Sequence, residues 1–93
     1  MNIRKMVEEI NEGLRGYTYP LQYSYSYEKN RYIFDPALEK LALTDLRYNE
    51  AYKRLSPEKK KKVRKAYELA RKIYARARAG QDFYGRYFVV DEE

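Results

Sequence analysis

The sequence predicts an α+β fold in which a small three-stranded antiparallel sheet packs against three helices, in the order α-β-β-α-α-β. Three observations support this prediction. Three segments carry apolar residues at helical spacing, Tyr alternates with polar residues from Tyr17 to Glu28, and a second aromatic and β-branched run extends from Phe83 to Val90. Because 93 residues suffice for one hydrophobic core, the chain is expected to form a single domain over residues 1–93.

Residues 3–14 predict the first helix. Their apolar members recur three or four positions apart, and charged side chains fill the remaining surface; the apolar positions are Ile3, Met6, Val7, Ile10 and Leu14. Gly13 and Gly16 follow the last apolar turn, where glycine commonly ends a helix because it adopts a positive φ without a Cβ penalty. The helix is therefore expected to end between residues 13 and 16.

From Tyr17 the pattern changes to a period of two, which predicts a strand with one aromatic face. Pro20 cannot donate to a ladder, so this is either an edge strand or one whose regular pairing begins after Pro20. Lys29 and Asn30 suit a two-residue hairpin loop, because Asn tolerates the left-handed conformation. That loop would place Glu28 opposite Arg31, Tyr27 opposite Tyr32 and Tyr25 opposite Phe34. A loop one residue longer would put the two aromatic rows on opposite faces.

Asp35 and Pro36 predict the start of a second helix, since the carboxylate can cap free N–H groups and proline at the first position loses no hydrogen bond. The apolar spacing of this helix is imperfect. Its stripe consists of Leu38, Leu41, Tyr48, Tyr52 and Leu55, with Asp45 where an apolar residue should lie. A break or bend is therefore possible between Leu43 and Asp45.

Ser56, Pro57 and Glu58 repeat the capping pattern and predict a third helix that runs to about Ala79, before Gly80. Its apolar stripe is the clearest in the chain and contains Val63, Ala66, Tyr67, Ala70, Ile73, Tyr74 and Ala77. The alanines allow close approach of another helix, for which the second helix is the expected neighbour. The third strand is expected from Phe83 to Val90.

The charge of the chain is concentrated on this third helix. Between Lys53 and Arg78 there are twelve Lys or Arg against two Glu, a net charge of +10, whereas the whole chain carries +6. A field of one sign on one element attracts polyanions, so the expected partner is acidic, with nucleic acid as the first expectation. The alternative is a solvated face that keeps a small protein soluble.

The cations of the helix at about residues 57–79 are expected to form two rows at 100° per residue. One flank carries Lys60, Arg64, Arg71 and Arg78, and the outer face carries Lys61, Lys65, Lys72 and Arg76. A helix of about 33 Å is close to the repeat of about 34 Å of duplex DNA, so it could follow phosphates along a groove edge.

Four consecutive lysines lie in the first turns of the same helix, where the macrodipole disfavours cations. Free N–H groups and ammonium groups together would make this end an anion site that suits phosphate. The predicted nucleic-acid-binding residues are therefore Lys59, Lys60, Lys61, Lys62, Arg64, Lys65, Arg71, Lys72, Arg76 and Arg78.

The tyrosine row has two interpretations. It could be a platform on which unpaired bases stack, as in single-strand binders that combine aromatic surfaces with basic grooves. It is more simply the core face of the sheet, because a strand of this sequence has no other apolar face. In that case Tyr17, Tyr19 and Tyr27 are the tyrosines most expected at the surface.

Composition excludes several kinds of chemistry. The chain has no Cys and no His, which removes thiolate metal sites, Cys nucleophiles and His-based acid–base pairs. Glu8, Glu9 and Glu12 could gather a divalent ion, but carboxylates on a surface helix are mostly solvated. No catalytic residue, metal, cofactor or small-molecule substrate is predicted. No apolar run reaches the roughly 20 residues that span a bilayer, and acidic residues occupy the position of a signal sequence, so a cytoplasmic location is expected.

The sequence therefore predicts a small basic protein, not an enzyme, that grips a DNA or RNA backbone through its third helix. One alternative is a protein-binding inhibitor or accessory factor of viral type that docks on an acidic or nucleic-acid-binding surface. Another is a designed or purely structural domain, in which the helix caps reflect stability alone.

Overall fold

The computed structural model describes residues 2–80 and 86–92. Within those residues the chain is mixed α and β, with four α-helices and a four-stranded sheet instead of the three helices and three strands expected from sequence. The elements are α1 (Ile3–Leu14), β1 (Tyr23–Ser26), β2 (Arg31–Phe34), α2 (Ala37–Leu43), a 3₁₀ turn (Leu46–Tyr48), α3 (Glu50–Lys53), α4 (Pro57–Arg76), β3 (Arg78–Gly80) and β4 (Tyr87–Asp91). All strand pairings are antiparallel, in the order β1-β2-β4-β3.

Helix α1 has the bounds that its apolar spacing predicts. The side chain of Asn2 caps its first turn by accepting a hydrogen bond from the Lys5 N–H at 3.3 Å. Gly16, just beyond the helix, has a φ of +77°, the left-handed conformation that glycine adopts without strain. The end of the helix between residues 13 and 16 is confirmed.

The β1–β2 hairpin has a different register from the predicted one. Tyr25 lies opposite Tyr32 and Tyr23 opposite Phe34, so the turn is the four-residue segment 27–30 and not a two-residue loop at Lys29 and Asn30. The shift is two residues, which leaves both aromatic rows on one face, so alternation alone could not distinguish the two registers. Asn30 does adopt the left-handed conformation, at φ +53°.

Strand β1 is an edge strand whose ladder begins at Tyr23, after Pro20. Leu21 pairs with the side chain of Asn11 instead of with a neighbouring strand. The Asn11 side chain accepts a hydrogen bond from the Leu21 N–H at 2.7 Å and donates one to the Leu21 carbonyl at 2.9 Å. The segment before the ladder is thereby fixed to α1.

The predicted second helix is interrupted where its apolar spacing fails. Helix α2 ends at Leu43, the 3₁₀ turn follows, and α3 begins at Glu50. Asp45 caps the turn by accepting from the Arg47 N–H at 3.0 Å, and Asn49 caps α3 by accepting from the Tyr52 N–H at 2.9 Å. The possible break near Leu43 to Asp45 is confirmed.

The C-terminal part departs most from the prediction. Helix α4 ends at Arg76 and not at Ala79, because Ala77 is extended at φ −81° and ψ 150° and Arg78–Gly80 pair with β4 as a strand. The final strand occupies Tyr87–Asp91 instead of Phe83–Val90. The part of that prediction on residues 83–85 lies outside the described residues.

One cluster of buried side chains joins the helices to the inner face of the sheet. Its largest members include Tyr32, Phe34, Ile10, Leu38 and Ile73, each at most 1 % exposed. The core interpretation of the tyrosine row therefore holds for the paired strands, where Tyr23 and Tyr25 pack against this cluster. Among residues 2–80 and 86–92, no helix combines the length and apolarity needed to cross a membrane.

Helix α4 lies very close to α1 at Gly13. A Cβ built on Gly13 would lie 2.7 Å from the carbonyl oxygen of Lys62 and 3.2 Å from the Cβ of Ala66. The sequence predicts that the second helix makes the close contact with the alanine stripe of α4. At this point α1 makes that contact. Helix α2 packs against α4 as well.

Candidate nucleic-acid interface

The outer face of α4 carries a row of cations that points away from the core. Lys61, Lys65, Lys72 and Arg76, hereafter the outer row, fall within about 60° of arc at 100° per residue. All four are exposed, and the buried residues Val63, Tyr67 and Ala70 lie on the opposite side of α4. Glu58 and Glu68 are exposed on the same side of the helix, so two carboxylates partly offset the positive charge.

The ammonium groups of Lys61, Lys65 and Lys72 make neither a hydrogen bond nor an ion pair with any other residue in the described part of the chain. Folding contacts therefore do not account for these three charges. They remain available to an external anion.

Lys59 has an internal role. Its Nζ donates to the carbonyl oxygens of Gly13 at 3.1 Å and Arg15 at 2.6 Å, at the C-terminal end of α1. A cation at the negative end of a helix dipole is favourable, which offsets its unfavourable place in the first turn of α4. Of the four consecutive lysines at the start of α4, Lys59 therefore links α4 to α1 through its hydrogen bonds.

Lys60 and Arg64 gather around Tyr52 of α3. The Lys60 Nζ lies 5.9 Å from the centre of the Tyr52 ring, and the Arg64 guanidinium donates to the Tyr52 hydroxyl at 2.9 Å. These contacts fix α3 against α4. The two cations lie on the flank predicted from sequence, but both have a packing role there.

Arg71 and Lys62 are exposed on opposite sides of α4. The charge of Arg71 helps to lower the pKa of Asp45, which falls to about 2 mainly because the side chain and backbone of Arg47 donate hydrogen bonds to it. Arg71 therefore lies near the 3₁₀ turn. Lys62 lies beside α1, where its backbone carbonyl faces Gly13.

Arg78 does not belong to the helical flank where the sequence placed it. It lies on β3, and its guanidinium is 3.4 Å from the carboxylate of Asp91 on β4. The four-membered flank of Lys60, Arg64, Arg71 and Arg78 is corrected to its first three members, because strand pairing ends the helix before Arg78.

A pocket beside α4 was not predicted. This side pocket, of about 430 Å³, lies between the segment after α1, helix α2 and the Tyr67 side of α4. Its walls include Tyr17, Tyr19, Leu21, Lys40, Leu41 and Tyr67. One feature of the sequence could have indicated this pocket. The alternation of tyrosines begins at Tyr17, before Pro20, whereas the paired strand begins only at Tyr23, so the earlier tyrosines are free to line another surface.

The aromatic residues that the structure leaves at the surface agree in part with the expectation. Tyr19 is 91 % exposed and Tyr27 is 84 % exposed, whereas Tyr17 is half-buried. Tyr48, which the sequence assigned to an apolar stripe, is 77 % exposed.

Tyr25 and Tyr32 are held by a carboxylate. Their hydroxyl groups donate hydrogen bonds to Glu92 at 2.8 and 3.1 Å, and the hydrogen bond to Glu92 raises the pKa of Tyr25 to about 12.

Within residues 2–80 and 86–92, no group of three carboxylates lies close enough to hold a metal ion.

Comparison of the chain with protein-family models, with curated proteins and with solved structures found no match. Charge and geometry are therefore the grounds for assigning a function.

The contact of Lys59 with α1 gives a first prediction. Replacing Lys59 with Met removes two charge-assisted hydrogen bonds, so we expect the free energy of unfolding to fall by about 1 to 2 kcal/mol. Urea denaturation followed by circular dichroism measures this change. Lys62→Met is the matched control because Lys62 is exposed and makes no such bond. Equal stability of the two variants would contradict the capping role.

Proposed function

We propose that this chain is a small, non-enzymatic nucleic-acid-binding protein whose helix α4 contacts the phosphate backbone with little sequence preference. The observation that carries the proposal is the outer row, in which three exposed ammonium groups lack partners among the residues described. Aligned cations without internal partners are an arrangement suited to a polyanion.

The dimensions of the outer row fit a nucleic-acid strand. From Lys61 to Arg76 the helix rises about 22 Å at 1.5 Å per residue. One strand of a duplex carries a phosphate about every 3.4 Å along the axis, so the row spans about six phosphates. Lysine and arginine contacts to phosphate carry no sequence information, and low sequence preference follows.

Neighbouring charges modulate this contact surface. Arg71 and Lys62 extend the positive field to both sides of the outer row, whereas Glu68 lies between Lys65 and Lys72 and repels phosphate. Lys59 and Arg78 are left out of the proposed contact set because Lys59 bonds to α1 and Arg78 pairs with Asp91.

Fluorescence anisotropy with labelled single-stranded and duplex DNA and RNA tests the proposal. Titrations at about 50 mM and about 200 mM salt should show binding at the lower concentration and a large loss of affinity at the higher one. Absence of binding to all four nucleic acids at the lower salt concentration would overturn the proposal.

The second candidate is a protein-binding module that docks on an acidic protein surface. It is favoured by the exposure of Leu43, at 67 %, and of Tyr48, at 77 %, because aromatic and apolar residues on a charged surface are common at protein interfaces. A pull-down with and without nuclease separates the candidates. A partner protein retained after nuclease digestion favours this second function.

A further inference from the structure

The side pocket has the dimensions of a ligand site. Its volume of about 430 Å³ lies within the range of roughly 300 to 1,000 Å³ that small-molecule sites occupy. The rings of Tyr17 and Tyr67 and the side chains of Leu21 and Leu41 give it largely apolar walls. Tyr19, which is 91 % exposed, lies at its rim.

The pocket also contains a hydroxyl group without a partner. The Tyr17 hydroxyl oxygen is buried and makes no hydrogen bond of ordinary geometry with any residue that the structure describes. Burial raises the pKa of Tyr67 to about 12, and the neighbouring Tyr17 contributes to this rise. The two phenols are thus close to each other, and a contact between them can use only one of their two O–H groups, so one O–H has no acceptor among the residues described. A buried polar group left unpaired is costly, and a ligand acceptor would satisfy it.

Positive charge lies beside the opening of the pocket. Lys40 lines the pocket, is exposed and has no ion-pair partner among residues 2–80 and 86–92. Arg71 is near enough to Tyr67 to oppose the rise of its pKa. An occupant with an aromatic body and a negatively charged attachment would match both the walls and the rim.

We propose that the side pocket receives one unstacked base of a single-stranded nucleic acid, while Lys40 and Arg71 contact the flanking phosphates. The base lies against the tyrosine rings, and an acceptor on its edge takes the hydrogen bond of the Tyr17 hydroxyl. Aromatic walls and polar edge contacts are how proteins hold unpaired bases. This inference rests on the proposed function and narrows it to single strands.

The test measures separately how much the base and the sugar-phosphate backbone contribute to the affinity. Three probes are used: a thymidine oligonucleotide of about 12 nucleotides, a strand of the same length that lacks bases, and free thymidine monophosphate. We expect the thymidine strand to bind about tenfold more tightly than the base-free strand, because stacking of one base is worth that factor or more. The free nucleotide, which reaches only the pocket, should bind far more weakly than either strand.

Two variants locate the effect. Ala51→Phe places a large side chain at an exposed position that lines the pocket, and should lower the affinity for the thymidine strand to that for the base-free strand. The same substitution at Ala79, exposed on β3, is the control. Tyr17→Phe should weaken only the thymidine strand, by about fivefold, as expected for one lost hydrogen bond. Its stability should be unchanged or higher, because an unpaired hydroxyl is removed.

The outcomes distinguish the two proposals. Equal wild-type affinity for the thymidine and base-free strands would overturn the base pocket and leave backbone binding in place. The same holds if Ala51→Phe and Tyr17→Phe leave the preference for the thymidine strand unchanged. Binding of the free nucleotide as tight as that of the thymidine strand would also overturn it, in favour of a mononucleotide site. Failure of every probe to bind would overturn both.

Discussion

Replacement of Lys61, Lys65 and Lys72 by Glu is expected to lower the affinity for nucleic acid by at least about 100-fold at about 50 mM salt. Each substitution removes a cation from the outer row and adds an anion, so six units of charge change on one face of α4. These side chains are exposed and have no partner in the part of the chain that the structure describes, so the core should not change.

A gain-of-affinity variant makes this test specific. Glu68→Gln removes the carboxylate that lies between Lys65 and Lys72, and we expect tighter binding, by a few-fold, from the loss of one repulsive charge. Partial unfolding could explain weaker binding by the triple variant but not tighter binding by Glu68→Gln. Circular dichroism of both variants checks the helix, where new pairs of like charges cost about 0.2 to 0.5 kcal/mol each. Wild-type affinity in the triple variant would exclude the outer row as the contact surface.

Gly13→Ala is the substitution expected to reduce stability most. The new Cβ would lie 2.7 Å from the backbone oxygen of Lys62, which cannot rotate away as a flexible side chain would. Alanine usually favours a helix over glycine by about 1 kcal/mol. Here the clash must separate α1 from α4, and we expect a net loss of about 2 to 3 kcal/mol in the free energy of unfolding.

Urea denaturation of Gly13→Ala, with Glu12→Ala as control, measures this effect. Glu12 is exposed on the same helix and makes one exposed ion pair, with Arg15 at 3.2 Å, so its loss should change stability by at most about 0.5 kcal/mol. A Gly13→Ala variant as stable as the wild type would show that the two helices do not approach this closely.

The elements that local chemistry determines could be predicted. Helix α1 and the start of α4 follow from apolar spacing and from caps, and the Ser56 side chain does accept from the Lys59 N–H at 3.2 Å. The interruption after Leu43 also follows, because no apolar residue occupies position 45. These features depend on residues within a few positions of one another.

The errors arose where contacts with another segment, and not the local sequence, determine the structure. Strand β3 exists because Arg78–Gly80 pair with β4, although the alanines and arginines before Gly80 favour a helix. The observed hairpin register places Tyr25 opposite Tyr32, and the Tyr25 hydroxyl bonds to Glu92 more than sixty residues away as well as to Asn30. Periodicity cannot detect either interaction, because each depends on which segments contact one another and not on the spacing of apolar residues within one segment.

The candidate site was predictable as a helix face but not as a set of individual roles. Helical geometry places Lys61, Lys65, Lys72 and Arg76 together, as the sequence indicated. It does not reveal that Lys59 bonds to the end of α1, since that contact requires the helix pairing.

The salt dependence of binding tests the outer row most directly. If its three lysines that are unpaired within the described residues, Lys61, Lys65 and Lys72, each neutralise one phosphate, a plot of log affinity against log salt concentration should have a slope of about −2 for a single strand and about −3 for a duplex. Lys65→Gln should make the slope shallower by about one. A slope near zero in the wild-type protein, or an unchanged slope in Lys65→Gln, would contradict backbone binding through this face of α4.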